Sequence, residues 1–260
     1  MAVQSVYSNP ETSQNPQGFL DSSQASVKDF ITLTKPGVLF LVVYTAFVGM
    51  LLAPSHKHPF VSFCALLSIA IASAGAAAFN MWFDRDMDAI MPRTMKRPIP
   101  AGKIAPQDAL TISVLLSGTS LLIMALTGSY MGTFWLGFSI FFYTVIYTAI
   151  LKRSTPQNIV IGGAAGSFPP LIAWISQTGT VELLPLVMFA IIFLWTPSHF
   201  WALALFRSND YAKANVPMLP VTHGVHHTCV QIVIYSFLLV GASFVPVTLG
   251  QLGILYGIAA

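Results

Sequence analysis

The chain has 260 residues, 55% of them hydrophobic, and only 21 carry a formal charge, 12 Lys and Arg against 9 Asp and Glu. At 8% charged, against about a quarter in an ordinary soluble domain, it lacks the polar surface to cover a water-soluble fold. That class is excluded, and nothing in the sparse basic residues points to nucleic acid.

Residues 1–27 are polar, rich in Ser, Gln and Asn, with no apolar signal core and no Arg. Neither a secretory signal nor a mitochondrial transit peptide is expected. Residues 1–33 read as a flexible cytoplasmic tail before a membrane domain spanning 34–260. Seven blocks free of Asp, Glu, Lys and Arg follow, at about 37–53, 60–80, 109–126, 131–151, 158–176, 183–205 and 229–250. At roughly twenty residues each, they are long enough to cross the ~30 Å hydrocarbon layer as helices. A further apolar run, Gln251 to Ala260, reads as the start of an eighth span, so the chain is expected to be C-terminally incomplete. Cys64 and Cys229 lie in or beside apolar blocks, which argues against a disulfide framework or a zinc site.

The basic residues orient the spans. With the N-terminus cytoplasmic, eleven of the twelve fall in cytoplasmic segments and only Lys57 lies outside, as the positive-inside rule requires. Eight of the nine acids fall on the same side, which that rule does not explain. Chemistry is therefore expected at the cytoplasmic face. Two spans look built for close packing: the second ends Ser73-Ala74-Gly75-Ala76-Ala77-Ala78, and the fifth carries Gly162 and Gly166 as a small-xxx-small pair. Pro169-Pro170 is expected to kink the fifth span.

Asn80, Asp84 and Asp88 recur every four residues at the end of the second span. Each such step drifts by only about 40° on a helix, so the three side chains share one face over ~12 Å. Two carboxylates and an amide oxygen suit a hard cation such as Mg²⁺, which takes its remaining ligands from water and substrate phosphates. The alternative is a solvated acidic helix end balanced by nearby cations. Arg93, Lys96 and Arg97 follow at once, with Pro98, Pro100 and Gly102 to turn them back. They suit the oxygens of a metal-bound diphosphate, and they equally suit simple anchoring. A second polar loop carries Arg207, Asp210 and Lys213. Asp210 is a candidate third carboxylate; an ordinary loop is the competing reading. His199 is the sole ionisable Asp, Glu, His, Lys or Arg within a span; it either satisfies a neighbouring carbonyl or meets a second substrate.

The stretch Asn80-Met81-Trp82-Phe83-Asp84-Arg85-Asp86-Met87-Asp88, followed by Met91 to Gly102, resembles the first motif of the UbiA-type intramembrane prenyltransferases. Its Arg93-Thr94-Met95-Lys96-Arg97-Pro98 tail is similar to the heme O synthase branch. So are Thr155 to Gly163, Thr196 to Trp201, and Asp210-Tyr211 with Val216 to Pro220. The resemblance runs from about Thr34 to the C-terminus. Three positions depart from the pattern: Ser198 where a second proline is usual, Asn215 where glycine is usual, and Ala214 where other superfamily members have an acid.

The resemblance implies an all-α, polytopic transmembrane bundle of nine spans, about seven and a half of them present here. It implies a bacterial inner-membrane enzyme that joins farnesyl diphosphate to a vinyl group of heme b, with a heme A synthase as the enzyme downstream. On this reading Asp84, Asp88 and His199 are catalytic, and Mg²⁺ is held by Asn80, Asp84, Asp88 and Asp210. Asn80, Arg93, Lys96, Arg97, Lys152, Arg153, Arg207 and Lys213 would bind the diphosphate. Tyr143, Tyr147 and Phe142 could face an allylic cation, although packing explains them equally well. Two competitors remain: a prenyltransferase acting on an aromatic or quinone-precursor ring, and a secondary transporter. The transporter is disfavoured because polar groups crowd one membrane face rather than mid-membrane.

Overall fold

Long apolar runs satisfy their backbone polar groups within a bilayer only as helices, and all seven expected spans are helical. The structure, a computed structural model, describes residues 25–260. In chain order the helices are α1 (Val27–Leu33), α2 (Pro36–Leu51), α3 (Pro59–Phe83), α4 (Arg85–Ile90), α5 (Pro106–Leu126) and α6 (Tyr130–Ser154). Then come α7 (Asn158–Thr178), α8 (Leu183–Leu205), α9 (Ser208–Lys213), α10 (Leu219–Thr222), α11 (Gly224–Thr248) and α12 (Ile254–Ala259). No strand occurs among the described residues. Pro36, Pro59 and Pro106 open three of the spans. At that position a missing N–H costs nothing and φ is already set.

Six helices are each long and apolar enough to cross a membrane: α3, α5, α6, α7, α8 and α11. The pair α1 and α2, bent by 53° at their junction, passes the same test together. Lys35 sits at that bend with φ of +51°, a region a long side chain rarely adopts.

The expected N-terminal tail needs correction at its end. Residues 1–24 lie outside the described residues, but Val27–Leu33 is helical and belongs to the folded unit. Leu33 is buried against Ala78 and Met81 of α3, and Asp29 pairs with Lys103 at 3.0 Å.

Packing between spans relies on small residues. The Ser113 hydroxyl donates to the Gly75 carbonyl at 2.8 Å, and that of Ser68 to the Ser120 carbonyl at 2.5 Å. Side-chain hydrogen bonds of this kind tie helices together where lipid removes the hydrophobic drive. α7 is the central helix, packed by α2, α3, α6 and α8. It runs as one helix through Pro169-Pro170. A Cβ on Gly49 would lie 2.4 Å from the Pro170 carbonyl oxygen, so α2 and α7 meet backbone to backbone there. The paired glycines of α7 divide: Gly162 lies under the Tyr147 ring, whereas a Cβ on Gly166 would meet nothing within 4 Å. Only the first of the small-xxx-small pair is therefore a packing residue.

Gly49→Ala is expected to destabilise by about 1–3 kcal/mol, the usual cost of overpacking against atoms that cannot yield. Gly166→Ala is expected to cost nothing. Thermal unfolding of the two variants in detergent checks the contrast.

Candidate active site

The charged residues gather where α3 ends. The four-residue spacing of Asn80, Asp84 and Asp88 aligns them as expected, and all three are buried, Asp84 to 0% exposure. Taking a carboxylate out of water is costly unless it is paired. The Asn80 side-chain amide donates to Asp84 at 2.7 Å and to the Thr148 hydroxyl at 3.2 Å. Lys152 donates to the same Asp84 oxygen, Oδ2. Arg97 pairs with Asp88 at 2.6 Å. The other oxygen of Asp84, Oδ1, is buried with no hydrogen-bond partner; the Arg153 guanidinium lies 3.8 Å from it.

Helix geometry brings the cations in. Residues Phe142–Leu151 of α6 are wound as a π-helix, a form that often marks functional sites. The stretch delivers Thr148 to Asn80, and Lys152, just beyond it, to Asp84. The bend between α1 and α2 delivers Lys35, whose ammonium donates to Asn80 Oδ1 at 2.5 Å. Asn80 is thus held on both sides of its amide.

The two polar loops come together at this end. Met87 and Met91 pack with Trp201, Val216, Met218 and Leu219 in one buried cluster. Arg93 reaches over this cluster to α9, donating to the Tyr211 hydroxyl at 3.2 Å with its guanidinium 5.5 Å from the ring centroid. Asn215 holds φ of +53°, the left-handed conformation that glycine favours and asparagine tolerates.

Other expected residues stand apart. Among the described residues no three His, Cys, Asp or Glu side chains gather as a ligand set, so Asp210 does not join Asp84 and Asp88 in a three-carboxylate site. Its placement follows α9, whose contact with the first loop is made by its neighbour Tyr211. Arg153 is shared: it donates two hydrogen bonds to Asp86 at 2.6 and 2.7 Å while lying 3.8 Å from Asp84. These bonds hold the Asp86 carboxyl below its ordinary value of 3.8. Lys96, Arg207 and Lys213 are exposed, with no ion pair among the described residues. His199 is exposed on α8, its ring stacked on Trp195 at 4.3 Å between centroids.

Lys35 and Thr148 were not among the sequence candidates. Lys35 directly precedes the first span, at the same membrane depth as the end of the second. Thr148 lies four residues before Lys152. Those spacings were available signals, but neither residue type announces chemistry by itself.

The donor set fits a hard divalent cation: oxygen ligands only, one of them a buried carboxylate oxygen left without a hydrogen bond. Mg²⁺ needs only one or two protein carboxylates.

Residues 42–260 match the UbiA prenyltransferase family. The chain is 49% identical over 233 residues to a protoheme IX farnesyltransferase of Azorhizobium caulinodans, covering 90% of this chain and 76% of that one. It is 52% identical over 238 residues to one from Rhodopseudomonas palustris (92% and 76% covered) and 50% over 250 residues to one from Granulibacter bethesdensis (96% and 79%). Among solved structures, a digeranylgeranylglyceryl phosphate synthase shares the fold with a TM-score of 0.72 at 19% identity, over 89% of this chain and 85% of that one. A UbiA homolog from Archaeoglobus fulgidus, bound to DMAPP and Mg²⁺, gives 0.70 at 17% identity, over 89% and 81%.

Because its folded-state carboxyl titrates lower than in the unfolded chain, Asp86 stabilises the protein above the ordinary carboxylate range and loses that effect as pH falls through its lowered value. Asp86→Asn should therefore melt earlier than the unsubstituted protein at neutral pH, and the gap should close in acid. Thermal melts across pH measure it.

Proposed function

The chain belongs to the UbiA prenyltransferase family, a group of multi-pass membrane enzymes, and on that premise we propose that it transfers the farnesyl group of farnesyl diphosphate to a vinyl group of heme b. The products are heme O and diphosphate, with water supplying the new hydroxyl. The observation that carries the reading is the wholly buried Asp84 carboxylate with one unpartnered oxygen, among cations from α6, the α1–α2 bend and the loop after α4. The near-50% identity to protoheme IX farnesyltransferases supports the acceptor.

Asp84 and Asp88 would hold a divalent cation, with Asn80 fixed beside them and Asp210 able to contribute only if α9 moves inward. When bound, Mg²⁺ neutralises the charge that develops on the leaving diphosphate. Lys35, Arg97 and Lys152 already point at the same carboxylates and amide, so they are placed to receive diphosphate oxygens as substrate enters. Arg93, Lys96, Arg207 and Lys213 ring this end of the bundle and favour approach of an anion. Breaking the C1–O bond sends its electron pair to the diphosphate and leaves an allylic cation. Apolar helices keep bulk water from quenching that cation, and the tyrosine rings of Tyr143 and Tyr147, 5.5 Å apart, offer π-faces to it. His199, with Trp195 and Phe200 around it, is assigned to the heme side. The charged end faces the cytoplasm of a bacterial inner membrane, and a heme A synthase is the enzyme that would consume the product.

In detergent, farnesyl diphosphate and heme b are expected to yield heme O only with Mg²⁺, and EDTA should abolish the reaction. Asp84→Asn is expected to lower the rate by about 10²–10³-fold, as loss of a charge-stabilising group does. Mass analysis of the porphyrin reads the outcome. Farnesylation of a hydroxybenzoate in place of heme b would overturn the acceptor assignment.

A further inference from the structure

Below the carboxylates lies an apolar cavity between α2, α3, α6 and α7, with Lys35 at one end of its lining. Lys35 also holds Asn80, so the cavity adjoins the charged cluster through this side chain. Its far end is formed by Ile69, Leu136 and Ile172, exposed by 2%, 1% and 1%. These residues lock into the main core with Ala65, Met124 and Ile175. Ile69 precedes Asn80 by eleven residues on α3, about 16 Å at 1.5 Å per residue, roughly the reach of three extended isoprene units.

Gly166 lines the same cavity. Its neighbours in kind are glycines for packing: a Cβ on Gly49, Gly162 or Gly163 would come within 3 Å of another residue. At Gly166 a Cβ would meet nothing within 4 Å. Helix contact does not demand glycine there, and the missing side chain leaves the cavity wide.

We propose that Ile69, Leu136 and Ile172 form a floor, and Gly166 an open wall, that together gauge the length of the isoprenoid the enzyme accepts. The proposal rests on the prenyl-transfer reading above and adds which residues set chain-length selectivity. A floor built into a close-packed core resists displacement by a longer tail, and a side chain grown from position 166 would occupy space the tail needs.

The test is calorimetric binding of geranyl, farnesyl and geranylgeranyl diphosphates to the full chain in detergent with Mg²⁺. Gly166→Leu is expected to lower the affinity for farnesyl relative to geranyl diphosphate by about tenfold, the scale of a few methylenes excluded from an apolar pocket. Leu136→Ala is expected to raise the affinity for geranylgeranyl relative to farnesyl diphosphate by a similar factor. Ratios within one protein cancel any general loss of active material. If Leu136→Ala does not fold, Gly166→Leu decides alone, since its side chain grows into open space. Unchanged ratios overturn the gauge. Farnesyl transfer to heme b is scored separately: its failure in the unsubstituted protein counts against the function, while the binding ratios still decide the gauge.

Discussion

A carboxylate with no exposed surface, at the end of a twenty-five-residue apolar helix, is the constraint around which this bundle is arranged. Water cannot solvate Asp84, so protein groups must. The chain meets that demand from distant segments: Lys152 lies sixty-eight residues away in sequence, and Asn80, one turn earlier, is itself held by Lys35 and Thr148. Breaking one member of a buried pair commonly costs about 3–5 kcal/mol because the other is stranded. The same groups that make the site chemically capable therefore also hold α2, α3 and α6 in register at this end.

The remaining charges divide by what they touch. Arg153 and Asp86 clamp α6 to α4 at the surface, with the guanidinium also against the Phe83 ring. Arg93 bridges the first loop to α9 through Tyr211. Arg97, Lys152 and Lys35 contact the inner cluster, on Asp88, Asp84 and Asn80 in turn. Residues that share a sign and a loop thus do different work, decided by where each guanidinium or ammonium ends.

Glycine tells a parallel story inside the membrane. Gly49 and Gly162 exist because a neighbour sits where their Cβ would be; Gly166, in the same helix as Gly162, faces a cavity. A sequence pattern of small residues four apart suggests two packing positions, yet only one faces another helix.

Periodicity and charge alone determined much here. Seven uncharged apolar blocks could become only membrane helices, since bilayer hydrocarbon leaves backbone groups no other partner, and all seven are present. The four-residue recurrence of Asn80, Asp84 and Asp88 placed them on one face because helix geometry within a single element is local. What lay beyond local geometry was decided by tertiary structure: Lys35 on Asn80, Arg153 shared between Asp86 and Asp84, Asp210 outside the carboxylate pair, and helix rather than tail at Val27–Leu33. Such pairings depend on how separate helices tilt, bend and wind, as at the left-handed Lys35 and the π-turns of α6. Those angles arise from side-chain packing summed over the whole bundle, which no single segment encodes.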